Sequence, residues 1–123
     1  MTLPAILPTS PADARCARMA AREECAASLY VFEGTLESVV DRELTFVVTA
    51  VWQGAPPERV VVTTSGRRPL ASASDVGSAY LIFALGRDPA SLRIARCGSS
   101  GPLAASGYTQ DALLALGRTR VAR

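Results

Sequence analysis

The chain has 123 residues, 49% of them hydrophobic and 20% charged, with a formal net charge of +2. That length bounds it to one domain around a single core, and the composition excludes a chain too polar to fold. Every basic residue is an arginine scattered among acidic ones, with no lysine and no histidine. The charge therefore gives no footprint for nucleic acid or an acidic membrane, and the usual neutral-pH general base and amine nucleophile are missing.

Residues 1–14 read as a leader or the remnant of a signal peptide. Thr2 to Pro8 is apolar but short, and Ala12-Asp13-Ala14 has the A-x-A cleavage pattern, without the basic start of a complete signal. No later apolar run is long enough to span a membrane. The folded domain is expected over 15–117, followed by a tail over 118–123.

Pro11 to Ala27 is alanine- and arginine-rich, lacks glycine and β-branched residues, and predicts one helix. Leu29 to Val40 and Leu44 to Trp52, flanking Asp41-Arg42-Glu43, predict an antiparallel hairpin. Alternation assigns Phe46, Val48, Ala50 and Trp52 to the core, and places Glu33 and Glu37 on a solvent face. Gln53-Gly54-Ala55-Pro56-Pro57 ends the second strand, and Arg59 to Thr64 predicts a third.

Ser65 to Val76, with Gly66 and Pro69, is the longest irregular stretch of the body and a natural place for binding residues. Ala79 to Leu85 predicts a fourth strand and Ser91 to Ala95 a short fifth; Cys97 to Leu103 is loop. Thr109 to Leu116 predicts a closing helix, capped by Thr109 and ended by Gly117. The expected fold class is mainly β, a five-stranded Greek-key barrel of the oligomer-binding (OB) type with a helix at each end.

The cysteines at 16, 25 and 97 have neither the spacing nor the histidines of a zinc cluster, so no metal, no cofactor and no catalytic residue is expected. Tyr30, Tyr80 and Tyr108 are the aromatics expected near the surface. That is a sparse platform for single-stranded nucleic acid, which, with oligosaccharide, is the alternative ligand class for an OB barrel.

Val31-Phe32-Glu33-Gly34, Phe46 to Gly54, Gly77 with Tyr80-Leu81, and Cys97-Gly98-Ser99-Ser100-Gly101-Pro102-Leu103 follow one another in an order that resembles the bacterial netrin-like domain. That family is related to the tissue inhibitors of metalloproteinases. The resemblance runs from about Cys16 to Leu116 and implies an OB-type barrel with its N-terminal segment strapped on by disulfides, in an exported protein. It implies a Cys16–Cys97 bridge; Cys25–Cys97 and three reduced thiols are the other assignments.

The family's Cys-x-Cys, whose first cysteine chelates a protease zinc, is Ala14-Arg15-Cys16 here, so the chelating group is missing. The function expected from the resemblance is a non-enzymatic protein-interaction module, secreted or periplasmic if bridged and cytoplasmic if the thiols are reduced. Its expected protein-binding residues are Arg15, Arg67, Arg68, Ser99 and Ser100.

Overall fold

The computed structural model describes residues 20–64, 70–95 and 97–123. Helix α1 (Ala21–Ala27) is the described end of the expected first helix; 11–19 lie outside the described residues. Four strands follow as predicted to within a residue at each end: β1 (Ser28–Val40), β2 (Glu43–Gln53), β3 (Arg59–Thr63) and β4 (Ala79–Leu85). The β1–β2 turn tightens to Asp41-Arg42, with Asp41 in the left-handed region at φ 54°, a conformation aspartate tolerates better than most residues. Between β3 and β4, Ala73–Asp75 forms a 3₁₀ turn, whose Asp75 carboxylate accepts the Ser72 N–H at 2.8 Å.

The expected strand over Ser91 to Ala95 does not form. Arg93 instead makes two isolated bridges, parallel to Thr63 at the end of β3 and antiparallel to Leu85 at the end of β4. Thr63 N–H donates to the Leu92 carbonyl and Ile94 N–H to the Thr63 carbonyl, while Leu85 and Arg93 exchange bonds of 2.8 and 3.0 Å. A turn held by Ser91 N–H on the Asp88 carbonyl, and the start of the Cys97 loop, leave too few extended residues for a ladder.

The remaining strands are short: β5 (Gly101–Pro102) beside β4, and β6 (Val121–Ala122) beside β2. The result is one antiparallel sheet of six strands, ordered β3-β2-β1-β4-β5 with β6 also on β2, and its ladder is not closed into a barrel. The segment expected to be a tail is thus partly a strand.

Two apolar layers flank this sheet. Tyr30, Phe32, Leu36, Phe46, Val48, Val60, Tyr80 and Ile82 belong to the larger, in which Phe46 meets Phe32 and Tyr80 edge-on at 6.1 and 5.7 Å between ring centres. The smaller holds Cys25, Val31, Trp52, Leu81, Phe83 and Leu113. It is built by α1 and by helix α2 (Gly107–Ala115), which cover the face of β1 that alternation assigned to solvent.

Trp52 falls in this second layer because β2 carries an extra residue at Thr49: Gly34 pairs with Val48 but Glu33 with Ala50. A bulge of this kind reverses which face the following residues present.

Helix α2 starts two residues before the expected Thr109, after Ser106, whose hydroxyl donates to the Leu103 carbonyl instead of capping the helix. Its end is as predicted. Gly117 (φ 82°) and Arg118 return their N–H groups to the carbonyls of Leu114 and Leu113, the Schellman arrangement in which glycine meets least resistance.

Candidate interaction site

Glu33 is the largest departure from the sequence reading. Instead of facing solvent it is buried, its side chain 2% exposed. Its carboxylate accepts the indole N–H of Trp52 at 2.8 Å and two guanidinium bonds from Arg120 at 2.7 and 3.0 Å. Burial pushes the Glu33 carboxyl up, but the bonds from Arg120 and Trp52 and the Arg120 charge outweigh it and hold it below the ordinary glutamate value. Glu37 does stay at the surface, where it pairs with Arg59 at 2.9 Å.

Around Glu33 the chain's last residues are laid along β2. Arg118 Nε donates to Gln53 Oε1 at 2.8 Å, and the Gln53 amide donates in turn to the carbonyls of Cys25 and Ser28. The backbone N–H of Arg123 donates to the Thr49 carbonyl, and its guanidinium to the carbonyls of Pro56 and Pro57 at 2.6 and 3.3 Å. Three arginines and a two-residue strand therefore fasten 118–123 to the sheet.

The Cys97 loop is held from below by α1. Glu24, fully buried, accepts the Ser99 N–H with both carboxylate oxygens at 2.8 and 3.1 Å. A Cβ at Gly98 would collide with that carboxylate, which is why a glycine follows the cysteine. Ser100 Oγ accepts the Phe83 N–H at 2.8 Å. Of the expected binding residues, Ser99 and Ser100 thus sit half-buried beside α1 and β4, whereas Arg15, Arg67 and Arg68 lie outside the described residues.

Cys97 is disulfide-bonded and Cys25 is a free, buried thiol. Cys16, the partner expected from the resemblance, lies outside the described residues. Burial pushes the Cys25 thiol up, with Glu24 adding to the effect and Arg118 opposing it, so it is protonated and a poor nucleophile near neutral pH.

Two open clefts are lined by described residues. One of about 320 Å³ runs along β3 past Tyr30, Pro57, Val61 and Pro89; the other, of about 350 Å³, lies between α1 and α2 beside Arg22, Cys25 and Arg118. Among the described residues no cluster of three or more histidine, cysteine or acidic side chains could hold a metal, and no helix is long and apolar enough to cross a membrane.

Tyr30 and Tyr80, expected near the surface, are buried in the larger layer at 9% and 4% exposure. Only Tyr108, at 90%, is an exposed aromatic. The arginines at 118 and 120 carried no sequence signal. Glu33 carried a faint one, since it interrupts an otherwise apolar run, Leu29 to Gly34, of the kind that marks a strand covered on both faces. No family model and no curated protein matches the chain.

Proposed function

We propose that this chain is a non-enzymatic, netrin-like interaction module built on an OB-type barrel, which binds a protein partner outside the reducing cytoplasm. The observation that carries the reading is the placement of Arg93. A β1–β2–β3 meander, a fourth strand returning to β1, and a last segment bonded parallel to β3 and antiparallel to β4 support reading the sheet as a partly open Greek-key barrel. The bonded state of Cys97 beside a free Cys25 supports a strap from Cys16 and hence an oxidising compartment.

The partner surface combines the Cys16 segment, the Ser65 to Val76 loop and the Cys97 loop, with Arg15, Arg67, Arg68, Ser99 and Ser100 as contacts. A protein partner is favoured over single-stranded nucleic acid because six of the seven aromatics, Tyr30 and Tyr80 included, are buried and cannot stack on bases.

The test is peptide mapping of non-reduced, alkylated protein from an oxidising compartment, followed by binding assays on loop variants. A Cys16–Cys97 peptide with Cys25 alkylated is the expected map; three alkylated cysteines overturn the strap and the exported reading. Alanine at Arg67, Arg68 and Ser99 together should weaken partner binding, and unchanged affinity overturns this surface.

A further inference from the structure

We infer that the edge of β2 from Thr49 to Gln53, with the Glu33 carboxylate and the Pro56 and Pro57 carbonyls, is a docking groove for an extended, arginine-bearing peptide strand, and that residues 118–123 are its resident occupant. The groove is separate from the loop surface proposed above and does not depend on it.

The occupant is seated as a strand-adding peptide is seated. Val121 and Ala122 pair with Val51 and Ala50, and Arg123 N–H continues the pairing onto the Thr49 carbonyl. Backbone bonds of this kind supply affinity without sequence, and side-chain sockets supply the choice. Here each polar socket holds a guanidinium: Gln53 takes Arg118, Glu33 takes Arg120, and the Pro56 and Pro57 carbonyls take Arg123.

The central socket belongs to the sheet, not to the occupant. Trp52 donates to one Glu33 oxygen and fixes the carboxylate, which then presents both oxygens to a planar fork. An ammonium cannot match that bidentate geometry, so the socket selects arginine over lysine. An empty socket would leave a buried carboxylate without its counter-charge, which is costly.

The occupant is held by its guanidinium bonds, with little backbone pairing or apolar burial behind them. Only two residues pair in β6, Val121 is 60% exposed, and the Arg120 side chain is 47% exposed. No apolar side chain of 118–123 is buried. A strand from another protein carrying an arginine at the central position and apolar neighbours that reach the adjoining surface can displace it. The tethered segment competes at an effective concentration of roughly millimolar.

The experiment uses the full chain and a synthetic peptide, acetyl-Thr-Arg-Val-Ala-Arg-amide, which reproduces 119–123. Binding is followed by the fluorescence of Trp52, the chain's one tryptophan. The chain carrying Arg120→Ala and Arg123→Ala should bind this peptide at least about tenfold more tightly than the unaltered chain, because the tethered competitor is weakened. A peptide with lysine at the central arginine should bind several-fold more weakly than the arginine peptide.

Equal affinity for the two chains, or for the two peptides, overturns the proposal. Should the double variant not fold, NMR on the unaltered chain decides the matter. Excess arginine peptide should shift the Val121 and Ala122 amides toward their unpaired positions while the Trp52 indole N–H stays in place, and unmoved amides overturn it.

Discussion

Glu33 shows how one residue's environment decides its chemistry. Its carboxylate is folded into a site where Arg120 and Trp52 satisfy it, and its proton affinity is below that of the unfolded chain. As pH falls the unfolded state takes up the proton first, near the ordinary glutamate value of about 4.3. The contribution is therefore complete above that value and is lost as pH falls through the lower, folded one. Urea titrations between pH 3 and 6 should show the unaltered chain losing stability on acidification with a steeper slope than Glu33→Gln; equal slopes would mean that Glu33 has no part in the acid response.

Trp52→Phe tests the other arm of the same site. It removes the indole donor from a buried carboxylate and should cost about 1–3 kcal/mol, read as a lower urea midpoint by circular dichroism.

At the scale of elements, the bulge at Thr49 and the turn after β2 do most to arrange the sheet. Gly54 adopts φ 79°, and a Cβ there would lie 2.5 Å from the Leu29 carbonyl oxygen. Both the backbone conformation and the space require glycine. Gly54→Ala should destabilise by more than about 1 kcal/mol, whereas alanine at Gly101, whose Cβ position is open, should be nearly neutral; thermal melts of the two variants compare them directly.

Strands β1 to β4 were legible because each is a run of β-branched or aromatic residues between turn formers. The bulge was not, because it depends on pairing with β1 and leaves no local trace in Thr49 itself. Strand β6 was hidden for a related reason. Two residues of alternation carry no signal, and the arginines around them look like solvated charge until the partner carboxylate is known.

At the scale of the molecule, α1 and α2 cover the second face of the sheet and give it its own apolar cluster. Leu113 of α2 is fully buried against Val31, Trp52, Leu81 and Phe83, and Cys25 of α1 is 2% exposed in the same layer. The Cys25 thiol thus reports whether this layer opens with the rest. Alkylation of Cys25 under native conditions should be slow and should rise to full reaction only across the global unfolding transition; rapid native labelling would mean that the helices open independently. Leu113→Ala, by leaving a cavity in that layer, should cost about 2–5 kcal/mol and accelerate the labelling.

The sequence by itself determined the mainly β class, the four long strands and the glycine that ends α2, because these follow from periodicity, branching and turn chemistry within a few neighbouring residues. Only the tertiary structure decided that Glu33 is buried, that Trp52 belongs to the helical side of the sheet, that Arg93 bridges β3 and β4 without forming a strand, and that 118–123 is fastened to β2. Each of those depends on groups distant in sequence. The Glu33–Arg120 pair spans 87 positions, and whether a charged residue faces water or a counter-charge is set by what the fold brings over it, not by its neighbours in the chain.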